Sequence, residues 1–201
     1  MDAMTHAIEA YVSTLHCNYT DPLALHAIQM IHQYLKKSYD GDMEARAQMH
    51  DAQCLAGMAF SNALLGIVHS MAHKTGAAYS GGHIIHGAAN AMYLPKVIRF
   101  NSKNTQAAER YANIARFIHL PGNTTAELID ALIEELREMN RQLNIPLGIK
   151  NYGQGGVLAD TSIIDENEFN GSIAEVAKNA IADACTGSNL SLIHISEPTR
   201  P

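Results

Sequence analysis

The sequence predicts an all-α protein, a bundle of helices without a β-sheet. Apolar residues recur at helical spacing along most of the 201 residues, and several of these stretches carry helix start and stop signals. The sustained two-residue alternation that is typical of half-buried strands is absent. With 47% hydrophobic residues, the chain has enough apolar surface for a buried core.

The first helix is predicted at the very start of the chain, in MDAMTHAIEAYVSTL. Ile8, Tyr11 and Leu15 form an apolar stripe, and no loop or capping stretch precedes them. We therefore expect the chain to begin inside a longer protein. Asp2 and His6 are four positions apart and share one helical face. That spacing fits a local hydrogen bond as well as a pair of metal ligands.

Two long helical stretches are predicted next. Thr20-Asp21-Pro22 is typical of a helix start, and an apolar stripe follows it. The second stretch is rich in Ala and Met and nearly uncharged over residues 52–68. A helix without charges is typically buried on all sides, so this stretch is predicted to run on without a break and to carry His69 and His73 into the interior.

The second half of the chain contains three further predicted helices. The first, NTQAAERYANIARFIHL, is amphipathic and ends at Pro121-Gly122. The second is TTAELIDALIEELREMNRQLN, with Asn123 or Thr124 as its cap and Glu127 near the capping-box position. A Gly-rich segment that we predict to be irregular leads to the last helix, SIAEVAKNAIADAC. Residues 1–189 are therefore predicted to form one helical domain. Residues 190–201, LSLIHISEPTRP, change character and are predicted to lie outside the fold.

Composition excludes several functional classes. The net charge is −6 and no basic cluster exceeds a short pair, which argues against nucleic-acid binding. No apolar run reaches the roughly 20 residues of a membrane span and no signal segment is visible, so a cytoplasmic protein without membrane contact is expected. Cys17, Cys54 and Cys185 form no C-x-x-C pair and are expected to be reduced. No G-x-G-x-x-G follows a strand, so no dinucleotide-binding unit of that kind is present.

Four histidines lie close together in HSMAHKTGAAYSGGHIIHGAANAMYLPKVIRFN. His69 and His73 share a helical face, and His83 and His86 follow a glycine-containing loop that can bring His86 back toward His69. Neutral imidazoles on converging elements bind zinc, iron or cobalt when a carboxylate supplies charge. With Asp2, this reasoning gives a possible ligand set of one carboxylate and three imidazoles, namely Asp2, His6, His69 and His86.

Three segments resemble a known family: DAMTHAIEAYVS, GIVHSMAHKTGA with HIIHGAANAMYLPKVIRFN, and NAIADACTGSN. They are similar to the C-terminal, all-helical half of the iron-containing (group III) alcohol dehydrogenases. That family includes lactaldehyde reductase, butanol dehydrogenases and the alcohol dehydrogenase part of bifunctional aldehyde-alcohol dehydrogenases. The resemblance covers residues 1–189, whereas the family's N-terminal α/β half, which binds the cofactor, is expected to be absent.

The resemblance implies that Asp2, His6, His69 and His86 are metal ligands and that His73 lies near the nicotinamide and the substrate, as a catalytic and cofactor-binding residue. One departure concerns the fourth ligand, because the loop before His86 holds a three-residue insertion relative to the family. Either His86 remains the ligand and the loop bulges, or His83, fourteen positions after His69, takes its place. The match of HGAANA favours His86.

The implied reaction interconverts primary alcohols and aldehydes with NAD or NADP, with Fe2+ or Zn2+ polarising the reacting oxygen. A homo-oligomer is expected of the intact enzyme, and little activity of this chain alone. A zinc polyol dehydrogenase of the same superfamily is one alternative, against which the His6 match argues. The other alternative is a noncatalytic helical module for metal binding or oligomerisation, which would take up metal without any effect of NAD(H).

Overall fold

The computed structural model describes residues 1–76, 78–153 and 163–192. Within these ranges the chain forms eight α-helices: α1 (Asp2–Tyr11), α2 (Thr20–Tyr39), α3 (Met43–Ala63), α4 (Ile67–Thr75), α5 (His86–Asn101), α6 (Thr105–Phe117), α7 (Thr125–Gln142) and α8 (Glu166–Ile181). Short 3-10 helices span Ile149–Asn151, Ala184–Ser188 and Leu190–Leu192. No β-strand forms in these ranges, where Ser13 and Asn189 make an isolated bridge. The predicted all-α class is confirmed.

Side-chain caps fix the starts of α6, α7 and α8, and at α6 the Asn104 side chain accepts the backbone N–H of Ala107. The Thr124 hydroxyl accepts the backbone N–H of Glu127 and the Glu127 carboxylate accepts that of Thr124, which is the predicted capping box. At α8 the Asp165 carboxylate accepts two backbone N–H groups of the first turn, so this helix starts at Glu166, earlier than predicted. Of the segment predicted to be irregular, residues 154–162 lie outside the described residues.

The main core lies among α1, α2, α3, α5, α6 and α7. Its fully buried large side chains are Met4, Ile8, Ile28, Ile31, Leu94, Ile98, Ile114, Leu132, Ile133 and Leu136. A second, smaller apolar cluster joins α4 and α5 to the segment before α8, through Ile84, Met92, Ile149 and Ile164. Helix α5 contributes to both clusters and packs against α1 and α4, and the candidate site forms where these three helices meet.

The predicted unbroken helix is wrong, because the chain breaks between α3 and α4. Leu64 has a φ of 63° and Gly66 caps α4, so the two helices are bent by 103°. Among the described residues no single helix is long and apolar enough to cross a membrane. Together α3 and α4 reach that length and composition, but only across this bend.

Burial of residues 52–68 on all sides is also wrong. Ala52, Ala56, Ala59 and Ala63 are fully buried, whereas Met58 is 40% exposed and Cys54 is exposed. The alanines recur every three or four residues, so one narrow face of α3 packs closely on its neighbours and the opposite face meets solvent. A helical stretch without charged residues can therefore still have a solvent-exposed face.

The predicted tail begins at a residue that packs in the core. Leu190 is only 4% exposed and belongs to the main apolar cluster. Asn189 beside it is buried and exchanges two side-chain hydrogen bonds with Asn101. Residues 193–201 lie outside the described residues.

Candidate metal centre

Helix α1 places Asp2 and His6 on one face at its amino end. His6 Nε2 lies 4.0 Å from Asp2 Oδ2, and the His6 ring stacks on Phe60 and His69 with centroid separations of 4.4 and 4.6 Å. Met4 and Ile8, on the other face of the helix, are buried in the main core. The apolar stripe therefore orients the carboxylate and the imidazole toward α4 and α5.

Helices α4 and α5 bring two more imidazoles to Asp2. His69 is 1% exposed, and its Nε2 lies 3.9 Å from Asp2 Oδ1. His86 is the first residue of α5, and its Nε2 lies 3.8 Å from the same oxygen. Ligand atoms of Asp2, His6 and His69 all lie within 4.8 Å of one another, and His86 approaches this group from the Asp2 side.

Asn90, which the sequence analysis did not select, lies among Asp2, His69 and His86. Its Nδ2 is 2.7 Å from Asp2 Oδ1 and 3.1 Å from the Nε2 atoms of both His69 and His86. Two amide hydrogens thus face three acceptors, while Asn90 Oδ1 is buried and has no hydrogen-bond partner among the described residues. Acceptor atoms from three helices converge on one electropositive group. This donor set therefore fits a divalent cation.

The electrostatics favour the metal-binding protonation states of Asp2, His6 and His86. Burial would raise the pKa of Asp2, but the Asn90 hydrogen bond and the nearby imidazoles outweigh it and hold the pKa below its usual range. Burial, opposed by Asp2, lowers the pKa of His6 to about 4. Burial also lowers the pKa of His86. A carboxylate and neutral imidazoles are thus available at neutral pH.

His86 and His83, the two candidates for the fourth metal ligand, lie in different places relative to Asp2. His86 lies against Asp2, whereas His83 is exposed and its ring approaches Gly76. Gly81 and Gly82 pack directly on Ile163, where a Cβ on either residue would clash. The glycine-containing loop is therefore held against the segment before α8, and the chain enters α5 with His86 next to Asp2.

His73 lies beside the metal-ligand group but is not buried, contrary to the prediction. Its side chain is 39% exposed, and its ring stacks on His86 with centroids 5.3 Å apart. His73 Nδ1 lies 3.5 Å from Asp183 Oδ2. One turn of α4 separates it from His69, but His73 lies at a position of the helix that meets solvent.

Asp183, another residue that sequence reasoning missed, joins His73 to a second titratable cluster. Lys74 Nζ lies 2.8 Å from Asp183 Oδ2, and the Cys185 backbone N–H donates to Asp183 Oδ1 at 3.1 Å. His73, Asp183 and Cys185 have the spacing of a three-residue metal group. Because Lys74 already neutralises the carboxylate, we assign this cluster to an ion pair.

Thiol reactivity tests that assignment. Burial and the Asp183 carboxylate raise the pKa of Cys185 to about 11, whereas hydrogen bonds from Thr20 lower the pKa of the exposed Cys17. The thiolate is both the nucleophile and the metal ligand, so iodoacetamide at pH 8 should modify Cys185 on the order of 100-fold more slowly than Cys17. Peptide mapping against time measures both rates, with exposed Cys54 as the reference. Equal rates for Cys185 and Cys54 would contradict the assignment.

Comparison with known proteins identifies the class. A family model described as the Fe-containing alcohol dehydrogenase family, C-terminal, matches residues 1–196. The chain belongs to this family. It is 59% identical over 189 residues to an NADPH-dependent butanol dehydrogenase of Clostridium saccharobutylicum, covering 94% of this chain and 45% of that protein.

Two further comparisons agree. An aldehyde-alcohol dehydrogenase of Streptococcus pneumoniae is 39% identical over 94% of this chain and 21% of its own length. The crystal structure of an iron-containing alcohol dehydrogenase from Thermococcus thioreducens superposes with a TM-score of 0.78 at 36% identity, covering 94% of this chain and 44% of that one. The chain spans less than half the length of these relatives.

Proposed function

We propose that this chain is the metal-binding part of an alcohol dehydrogenase that interconverts primary alcohols and aldehydes with NAD(P), and that Asp2, His6, His69 and His86 hold its Fe2+. The single observation that carries the proposal is the convergence of Asp2, His69 and His86 on the Asn90 amide, at 2.7 to 3.1 Å. Membership of the iron-containing family supports Fe2+, and Zn2+ suits the same ligands. The name of the Clostridium relative favours NADPH.

A divalent metal at this site would supply Lewis-acid polarisation of the alcohol or aldehyde oxygen. The chain's own residues supply the surroundings. Asp2 contributes the one negative charge of the ligand set, and the buried His69 keeps water from its side of the site. On the open side, Asp183 faces Nδ1 of the partly exposed His73. That contact leaves the other ring nitrogen of His73 free to orient the substrate or cofactor or to relay a proton.

The remaining features of the proposal concern the whole enzyme. Its substrate is a small alcohol or aldehyde, and it is a cytoplasmic homo-oligomer without a nucleic-acid partner. The net charge of −6 and the absence of a basic cluster support the last point.

Metal titration of this chain tests the ligand set. Wild type should bind about one Fe2+ under anaerobic conditions. His86→Ala should weaken binding by more than the 10–100-fold that loss of an outer-shell partner costs. His83→Ala is the matched control, since it removes a neighbouring imidazole that lies outside the group, and it should leave affinity unchanged.

If His83→Ala weakened Fe2+ binding and His86→Ala did not, His83 would be the fourth ligand. A wild-type chain that is helical by circular dichroism and binds neither Fe2+ nor Zn2+ would contradict the proposal.

A further inference from the structure

Glu9 is a buried carboxylate outside the proposed ligand set. It lies on α1, seven positions after Asp2 and three after His6, and is 7% exposed. Its Oε2 lies 2.6 Å from His69 Nδ1. A carboxylate placed this deeply needs donors on both oxygens.

Two of the three described hydrogen-bond contacts of Glu9 are to backbone donors. The backbone N–H of Gly66 donates to Oε2 at 2.9 Å, and that of Val68 donates to Oε1 at 2.7 Å. These groups belong to the amino end of α4, where the helix dipole favours a negative charge. A carboxylate only accepts, so the remaining contact is filled when His69 Nδ1 carries a hydrogen.

The backbone at the break between α3 and α4 packs closely against this carboxylate. A Cβ on Gly66 would lie 2.8 Å from Glu9 Oε1 and 3.0 Å from Asn189 Oδ1. Only glycine allows the backbone to approach this closely. The same break that ends α3 therefore exposes the N–H groups that hold Glu9.

The other ring nitrogen of His69 gives independent support. Its Nε2 lies 3.1 Å from Asn90 Nδ2, an amide nitrogen that only donates. Glu9 on one side and Asn90 on the other therefore favour one tautomer, with hydrogen on Nδ1 and a lone pair on Nε2. A metal ligand needs that lone pair, and a partner on the far nitrogen normally fixes it.

We propose that Glu9 is a positioning residue, which accepts the Nδ1 hydrogen of His69 and so keeps Nε2 unprotonated and directed at Asp2. The inference rests on the proposed function, because it concerns the residue that prepares one of the proposed metal ligands. A purely structural Glu9, serving only as the cap of α4, would stabilise the fold and leave the His69 tautomer unaffected.

Glutamine at this position separates the two roles. An amide has one oxygen, so its NH2 group takes either the Oε2 position, where it faces His69 Nδ1 and the Gly66 N–H, or the Oε1 position, where it faces the Val68 N–H. If it faces His69, it donates to Nδ1 and moves the hydrogen to Nε2. If it faces Val68, the Val68 N–H loses its acceptor and the carboxylate charge beside His69 is gone.

The experiment combines histidine NMR with Fe2+ titration on the whole 201-residue chain. In the metal-free wild type, 15N shifts and couplings of the imidazole should show His69 with hydrogen on Nδ1. In Glu9→Gln the Nε2-protonated form should appear, and Fe2+ affinity should fall by about 10–100-fold. Glu135→Gln is the matched control, since Glu135 pairs with His32 Nε2 at 3.0 Å, away from the site. It should leave both readouts at His69 unchanged.

The experiment distinguishes failure of the Glu9 inference from failure of the proposed metal site. A wild-type His69 with hydrogen on Nε2 overturns the inference, whether or not Glu9→Gln folds. A folded Glu9→Gln with wild-type tautomer and affinity also overturns it and leaves the metal proposal standing. A helical wild-type chain that binds no Fe2+ contradicts the proposed function, while the metal-free NMR still tests Glu9. If Glu9→Gln unfolds, Glu9→Asp shortens the side chain by one methylene and should produce the same tautomer change.

Discussion

His69→Ala should abolish specific Fe2+ binding and also destabilise the metal-free protein. The substitution removes a proposed ligand and leaves the buried Glu9 carboxylate without its side-chain partner, although the Gly66 and Val68 N–H groups remain. Because two of the three donors persist, we expect a loss of about 1–3 kcal/mol in the free energy of unfolding, as for an unsatisfied buried polar contact. Anaerobic Fe2+ titration and urea unfolding measure the two effects.

His32→Ala is the matched control for His69→Ala. It also breaks a histidine–glutamate contact, with Glu135, but this half-buried pair joins α2 to α7 and includes none of the proposed ligands. We expect unchanged Fe2+ affinity and a stability loss within about 1 kcal/mol, as for exposed ion pairs. Equal loss of Fe2+ binding in both variants would show that the titration reports folding and not a specific site.

Leu132→Ala should cost about 2–5 kcal/mol in the free energy of unfolding. Leu132 is 1% exposed on α7 and lies in the main core, so the shortened side chain loses its buried area and leaves a cavity. Urea unfolding followed by circular dichroism measures the change as a lower midpoint at constant slope.

Leu15→Ala makes the same chemical change at a side chain that is 52% exposed, and it should change stability by about 0.5 kcal/mol or less. Similar losses in the two variants would contradict the assignment of the core to the α7 stripe. A loss in Leu132→Ala below about 1 kcal/mol would do the same.

The fold was largely predictable because it depends on local patterns. The apolar stripe and capping box of α7 are contained in a single stretch of sequence, and both are confirmed. The break after Ala63 was not predictable in this way. It depends on Gly66 meeting the Glu9 side chain, fifty-seven residues earlier in the chain. Only the packing of α1 on the amino end of α4 brings these two residues together.

The candidate site, like the fold, was predictable where it depends on local sequence patterns and not where it depends on the packing of separate helices. The pairing of Asp2 with His6 follows from helical spacing, the histidine-rich segment made His69 and His86 candidate ligands, and the resemblance gave His73 its role. Asn90 and Glu9 were missed, although each left a signal in the sequence. Asn90 is a polar residue among alanines, one turn after His86, and Glu9 continues the face of Asp2 and His6. Their partners belong to other helices, so the signals acquire meaning only once α1, α4 and α5 are packed together.

Anomalous diffraction at the iron absorption edge, on crystals of the wild-type chain grown with Fe2+, tests the central claim most directly. The account predicts one strong peak among Asp2, His6, His69 and His86, at about 2.0–2.2 Å from each ligand atom, the metal–ligand distance typical of nitrogen and oxygen donors. A peak beside His73, Asp183 and Cys185 instead, or no peak between α1, α4 and α5 in an otherwise ordered crystal, would contradict it.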